Sequence, residues 1–491
     1  MSARRTFGAG LAGAALLAGC TVGPDYRPPD IPTPPAYGDA AQINAPPASE
    51  AQLSAWWTQF NDPELNSLIG RALAGNLDLA TAASRIRQSR EQEIIAGAPG
   101  LPHVGANAAA VRLNSNPHHI PLPAALSGGG SGGGAGGPPP TLSTPTHLNL
   151  YSVGFDATWE LDVFGGVRRS VEAAHANTEA ALWQRRDGEV SLTAEVASEY
   201  FTLRAAQTRI ALLNDELKSQ RDTFGLIQAR NRVGFVTRLD VNQQQTQVES
   251  TAAQLPDVQA QQRAALHALG VLLGQPPEAL DAELSPAAAV PTPPAALPVG
   301  LPSDLLRRRP DVRAAERQLA AATANIGVAV ADLYPKFNLL GVASLASTKL
   351  DTLFNPTSAS SVGVGYITWP LFQGGRIRAN IASTRAQRVQ AYLAYQKAVL
   401  TALKDVEDAL ARCNADRAKL ASLQRTLDAA GSSLAIAQAQ YRVGLVTFLN
   451  VLNGEDAVFK ARDQLVQTEA QSAQDQASLF KALGGGWSAS A

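Results

Sequence analysis

The sequence is short of almost everything that marks an enzyme or a disulfide scaffold. It has 2 cysteines and 6 histidines in 491 residues. Two cysteines cannot build a disulfide framework. None of His103, His118, His119, His147, His175 and His267 stands in a spacing with Cys, Asp or Glu that makes a closed metal site. No nucleophile, base and orienting acid form a set, and the glycine-rich stretches lack the Lys-Ser/Thr of a phosphate-cradling loop. Excess charge is missing too: 41 Lys+Arg against 42 Asp+Glu leave a formal net charge of -1, which gives no electrostatic reason to bind nucleic acid. Past the N-terminus there is no run of about 18 to 20 apolar residues, so any membrane crossing must be made by strands.

What is present begins with a secretory signal. Arg4 and Arg5 precede a small apolar stretch from Phe7 to Leu17, which ends in Leu17-Ala18-Gly19-Cys20. That tetrad resembles a bacterial lipobox, which predicts removal of residues 1–19 and a covalent N-acyl and diacylglycerol lipid on Cys20. Thr21 follows rather than Asp, which by resemblance to lipoprotein sorting favours the outer membrane. Residues 20–50 carry eight prolines from Pro24 to Pro47 and read as an extended, weakly packed tether. Two further stretches are biased: Ser127 to Pro140, nearly all Gly, Ser and Pro, reads as an exposed loop, with His118-His119 in the same external loop region, and Pro276 to Pro298 reads as a linker.

The linker separates two halves that echo each other, residues 51–300 and 301–491. Arg232-Val233-Gly234-Phe235-Val236-Thr237 matches Arg442-Val443-Gly444-Leu445-Val446-Thr447, and Leu239-Asp240-Val241 matches Leu449-Asn450-Val451. Upstream, Asp78 matches Asp311, and Leu101-Pro102 matches Tyr334-Pro335. Such self-similarity implies two similar structural repeats.

A seven-residue apolar register is the strongest signal. Leu182, Val196, Leu203, Ile210, Leu217 and Phe224 share it in the first half, with Glu189 interrupting. Tyr392, Val399, Val406, Cys413, Leu420, Leu427, Leu434 and Tyr441 keep it unbroken in the second. The return segments repeat it through Val241, Val248, Leu255 and Leu269, and through Val451, Val458, Leu465 and Leu479. A sustained heptad keeps one seam against a partner helix, so each half is predicted to hold a long helical hairpin, with a first helix from Gly166 to Arg230 about 100 Å long. Pro256 predicts a bend in the first return helix. Cys413 and Tyr441 read as seam residues.

Between the helices lie alternating segments. Asn149, Tyr151, Val153, Phe155, Ala157 and Trp159 alternate with Ser152, Gly154, Asp156 and Thr158, as a strand with one wet and one apolar face requires. Val362, Val364 and Tyr366 against Ser361, Gly363 and Gly365 give a weaker version, and Val104 to Val111 and Phe337 to Leu345 complete two hairpins. Four strands cannot close a barrel, so a crossing requires several copies.

These residues resemble the TolC superfamily, in particular the lipoprotein channels of resistance-nodulation-division efflux pumps, the NodT-like branch. The matching features are the lipobox, Trp56-Trp57 with Phe60-Asn61-Asp62-Pro63, Tyr151 to Asp156 running into Trp159-Glu160-Leu161-Asp162, the two Val-Gly tips, and Ala482-Leu483-Gly484-Gly485-Gly486-Trp487. The resemblance implies a mainly α protein with a membrane β-barrel: a homotrimer with four strands per protomer in a twelve-stranded barrel, continuing into a coiled-coil tunnel. It implies an exit duct, not an enzyme, working with a periplasmic membrane-fusion adaptor and an inner-membrane pump. By resemblance the tips Arg232, Val233, Gly234, Phe235 and Arg442, Val443, Gly444, Leu445 contact the adaptor, while Tyr441 and Asp240 help hold the periplasmic gate shut through a hydroxyl-to-carboxylate hydrogen bond. Asn450 and Asn453 stand where several family members carry acids, and amides offer a cation only dipoles. Two other readings compete: a lipid-anchored coiled-coil structural protein, which leaves the four alternating segments unexplained, and a duct of a type I secretion or MacB-like system.

Overall fold

The computed structural model describes residues 21–38, 49–114, 120–121, 141–142, 147–294 and 301–488. The signal segment, Cys20 and the stretch from Ser127 to Pro140 lie outside the described residues. The fold is mainly helical with a small antiparallel sheet. In chain order come α1 (Glu50–Ser54), α2 (Pro63–Gly75), α3 (Leu77–Gly97), β1 (His103–Asn114), β2 (Ile120–Pro121), β3 (Thr141–Leu142), β4 (His147–Leu161) and α4 (Gly166–Arg232). There follow α5 (Arg238–Ala252), α6 (Leu255–Leu272), α7 (Asp281–Leu284), α8 (Pro302–Arg308) and α9 (Pro310–Ala331). The chain ends with β5 (Lys336–Ser347), β6 (Ala359–Thr368), α10 (Arg376–Arg442) and α11 (Phe448–Ala482). Two compact units form: a sheet unit of residues 21–26 with Gln92–Ala174 and Ala322–Ala386, and a helical unit of Arg27–Glu91, His175–Ala321 and Gln387–Ala491.

In the helical unit the middle of each heptad register is buried, while Leu182 at the start of the first is exposed. Val196, Leu203, Leu217, Val399, Val406 and Cys413 are all buried. Burial pushes the Cys413 thiol up to about 12, which keeps it a small apolar seam residue rather than a nucleophile. The first return segment is cut after Ala252 and restarts at Leu255, with Pro256 in the first turn of α6 where its missing N–H costs nothing. The second return helix, α11, runs unbroken for 35 residues.

The paired tryptophans explain their motif. Trp56 is fully buried, stacked on Phe480 at 5.3 Å and edge-on to Phe60, which meets Phe201 at 5.0 Å. Asn61 turns the chain in the left-handed region (φ 50°), and Asp62 caps α2 by accepting from the Glu64 and Leu65 amides. The Tyr200 hydroxyl donates to the other Asp62 oxygen at 2.8 Å. At the C-terminus, Gly486 N–H donates to the Leu53 carbonyl, and a Cβ on Gly485 would come within 2.8 Å of that same oxygen. The two motifs therefore close one core.

Two expectations need correction. Residues 27–38 are extended, as their prolines dictate, but not loose: Tyr37 is buried and Gly38 N–H donates to Glu407 Oε1 at 2.8 Å. Extended chain still has donors and rings to dock. The linker is likewise seated: Leu280 and Leu284 are buried, Glu283 takes a two-pronged bond from Arg71, and Gln207 donates to the Leu284 carbonyl.

The sheet has order β1-β4-β5-β6, all antiparallel. Residues paired across antiparallel strands share a face, so Tyr151, Val153, Phe155 and Ala157 lie with Ala110, Ala108, Ala106 and Val104 on an apolar face. The opposite face carries Ser152, Asp156, Thr158 and Ser344, and Asn107 Nδ2 donates to Asp156 there at 2.9 Å. β6 departs from its own alternation. Its register puts Val362, Val364 and Tyr366 on the polar face, opposite Val342, Leu340 and Asn338, and Ser361, Gly363 and Gly365 on the apolar one. The ladder to β5, which is apolar on both faces at Leu339 and Leu340, decides its sidedness.

Inside the helical unit Asp416 on α10 and Asp475 on α11 are both buried and face each other. Arg412 Nε lies 3.5 Å from Asp475, to which Gln471 also donates. Burial, then the bond to and charge of Asp475, raise the Asp416 pKa to about 6, against smaller opposing pulls from Lys419 and Arg412. A raised carboxyl pKa favours the protonated folded state, so its stabilisation is full below the unfolded value of about 3.9 and is lost as pH climbs to about 6. Thermal melts followed by circular dichroism at 222 nm should fall across that window, and Asp416→Asn should remove this part of the slope.

Candidate channel entrance and membrane sheet

The two tips share one backbone solution. α4 ends at Arg232, Phe235 N–H donates to the Arg230 carbonyl at 2.9 Å, and Gly234 N–H to that of Asn231 at 3.0 Å. After α10, Leu445 N–H donates to Gln440 at 2.9 Å and Gly444 N–H to Tyr441 at 3.0 Å. This six-to-one and five-to-two pairing closes a helix on a left-handed residue, and Gly234 and Gly444 have φ 77° and 75°. A Cβ at either would meet nothing within 4 Å, so the dihedral, not crowding, demands glycine. Around them Val233, Phe235, Val443 and Leu445 are 67% to 82% exposed, and Arg232 and Arg442 are exposed as well.

The expected gate bond does not form within this chain. Asp240 Oδ2 instead accepts from the Thr237 amide (2.8 Å) and hydroxyl (2.7 Å), closing a capping box at the start of α5. Tyr441 packs its ring on Phe448 at 5.5 Å, beside the cluster of Ile227, Phe448, Val451 and Leu452. The carboxylate satisfies two local donors at the helix start before any distant hydroxyl is needed. Asn450 holds the matching place on α11 and accepts from the Thr447 hydroxyl at 2.9 Å. Asn453 lines a groove of about 700 Å³ between α5 and α11 with Gln243, Thr246 and Asp456. The neighbouring acids split as adjacent helix positions must: Asp456 pairs with Lys460 at 2.7 Å, while Glu455 is turned inward, where burial raises its pKa and Gln438 hydrogen-bonds it. The capping role of Thr237 is one that the sequence reading missed, although Thr-x-x-Asp before an apolar run was a readable signature.

In the sheet unit the strands hold 12, 15, 12 and 10 residues, against about 9–11 for a tilted membrane crossing. Among the described residues the outer edges of β1 and β6 carry no strand partner in the sheet. Phe155, Val104, Ile367 and Tyr366 are exposed. At the strand feet, Trp159 Nε1 donates to the Gly100 carbonyl at 2.9 Å and Trp369 Nε1 to that of Leu333 at 3.0 Å. Rings with a polar handle at strand ends are what a barrel's interfacial girdle uses. Among the described residues no helix is long and apolar enough to cross a membrane.

A sheet of this kind joined in sequence to long helical hairpins defines the outer-membrane efflux channels. Residues 68–275 and 301–485 match the outer membrane efflux protein family, and the chain belongs to it. It is 32% identical over 474 residues to nodulation protein T of Rhizobium leguminosarum bv. viciae, covering 96% of this chain and 92% of that protein. It is 34% identical over 440 residues to the pyoverdine export outer membrane protein OpmQ of Pseudomonas aeruginosa, covering 89% and 88% of the two chains. The solved outer-membrane channel OprN superposes with a TM-score of 0.83 at 34% identity, over 95% of this chain and 100% of the other. The protein is thus an outer-membrane efflux channel, an exit duct of the outer membrane.

Gly234→Ala and Gly444→Ala should each cost about 1–2 kcal/mol locally, the penalty of a Cβ in the left-handed region. Hydrogen exchange of the tip amides, read by mass spectrometry, should accelerate by roughly 5- to 30-fold. Asn at the same positions should cost less, because it tolerates that region.

Proposed function

We propose that three copies of this chain close their sheets into one twelve-stranded outer-membrane barrel, with their helical units forming a periplasmic tunnel, as the passive exit of a tripartite pump for drugs or other small molecules. The observation that carries this reading is the pair of open edges on strands long enough to cross a bilayer. Unpaired edge amides and carbonyls have no partners in hydrocarbon, and pairing β6 of one copy with β1 of the next removes every edge. The anchored coiled-coil alternative leaves these strands without a use.

In this reading residues 1–19 are removed, Cys20 carries N-acyl and diacylglycerol groups, and the halves 51–300 and 301–491 descend from a duplication. The identical hydrogen bonding of the two tips and the two 67-residue helices support the last point. The exposed apolar residues at 233–235 and 443–445 are the surface for a periplasmic membrane-fusion adaptor, behind which an inner-membrane pump supplies the cargo. Asp240, Tyr441, Asn450 and Asn453 form the gate, in which closure rests on helix packing around Tyr441 and Phe448 while Asp240 serves its own helix. Catalysis has no part in the cycle.

Single-channel conductance of the purified mature protein in a planar bilayer, beside its mass in detergent, tests the assembly. Discrete conductance from a trimer is expected. A non-conducting monomer would favour the anchored coiled coil. Co-purification of the adaptor and pump separates a resistance-nodulation-division partner from a type I secretion or MacB-like one.

A further inference from the structure

Residues 21–26 belong to the sheet unit, and the place that receives them is built from glycines and one buried arginine. Val22 N–H donates to the Phe164 carbonyl at 3.1 Å. Gly23 sits at φ 93°, and a Cβ on it would lie 2.4 Å from the Gly327 Cα. A Cβ on Gly327 would lie 2.9 Å from the Val22 carbonyl and 2.7 Å from Arg169 Cγ, and one on Gly165 would lie 3.0 Å from Thr21 Cα. The strap fits only while these positions stay bare. Above it the Arg169 side chain is 5% exposed. Its Nε donates to the Val22 carbonyl at 3.1 Å, Nη2 to Asp25 Oδ1 at 2.7 Å and Nη1 to Glu172 at 2.7 Å. Two of these three acceptors come from the strap, and a buried guanidinium stripped of them would be strongly unfavourable.

The clamp also lies at a defined level. Phe164, whose carbonyl holds Val22, stacks on Tyr334 at 4.6 Å, beside the loop carbonyl of Leu333 that accepts from Trp369. Cys20 is one residue upstream of Thr21, a reach of about 3.6 Å of chain.

We propose that Arg169, Gly165 and Gly327 clamp Thr21–Asp25 so that the lipid of Cys20 enters the bilayer at the aromatic foot of the strands, as a fixed part of the barrel rather than on a leash. This rests on the lipid reading of Cys20. The test places a nitroxide at the exposed Pro24→Cys in a Cys413→Ala background of the full chain in outer-membrane vesicles, with mass spectrometry of the N-terminal peptide reporting the lipid. The label should be immobilised at interfacial depth, and Arg169→Ala or the smaller Gly327→Ala should speed its motion at least fivefold. A lipid-bearing protein whose label is mobile before either substitution, or whose label lies in water away from the interface, overturns the clamp and leaves the lipid reading standing. Absence of the lipid mass overturns both.

Discussion

The constraint on which the rest of this structure depends is that hydrocarbon offers no partner to a backbone amide or carbonyl. Four strands of 10 to 15 residues satisfy every ladder position between them but leave two outer edges. In water such edges invite aggregation; in lipid they are untenable. Over β1 and β4 the face that bears Asp156 and Asn107 is polar and the other small or apolar, as strands with water on one side and lipid on the other require, whereas β6 brings Val362, Val364 and Tyr366 to the polar side. Gly154 shows how tight the ladder is, since a Cβ there would fall 2.6 Å from the Ala343 carbonyl.

A different rule governs the helical unit, which works in water. There the seam of Val196, Leu203, Val399 and Val406 supplies most of the driving force, with each buried aliphatic side chain contributing roughly 1.5–3 kcal/mol. The turns contribute direction instead. A left-handed glycine at each tip, followed at the first by the Thr237 side-chain cap, reverses the chain within a few residues, and among the described residues Val233, Phe235, Val443 and Leu445 stay largely exposed. Exposure of large apolar groups at a polar hairpin's end is unfavourable for a free monomer, and contact with another surface relieves it.

Periodic features were legible in the sequence because they repeat: the heptads, the four strands and the twin tips follow from spacing, while the single Pro256 marked its own break. What the sequence concealed depends on single meetings of distant residues. The sidedness of β6 could not be read from Val362, Val364 and Tyr366, because their neighbours on β5 decide it. Asp240 is the local exception: its donors, the amide and hydroxyl of Thr237, lie only three positions away, so its cap could be read from the sequence, and its place in the gate stands as proposed. The proline-rich segment looked like a leash because proline reports backbone shape, not whether Tyr37 finds a pocket or Arg169 finds two carbonyl and carboxylate oxygens.

The helical seam is not wholly apolar, and its polar members have a common logic. Gln244, fully buried on α5, donates to the Gln220 carbonyl of α4; Arg209 on α4 meets Asp463 on α11 at 2.6 Å; Gln474 on α11 donates to Thr202 on α4. A leucine in each place would pack at least as favourably, since a desolvated ion pair or amide gains little net stability. A pure leucine seam, however, lets one long helix slide by a heptad against another at small cost, whereas a buried amide or ion pair displaced by one turn loses its partner outright. Helices of 67 residues have many such alternative registers, so the polar residues are the price of a single one. A tip placed by a helix this long is only as well positioned as that register, which links Gln244 and Arg209 to the geometry of the entrance.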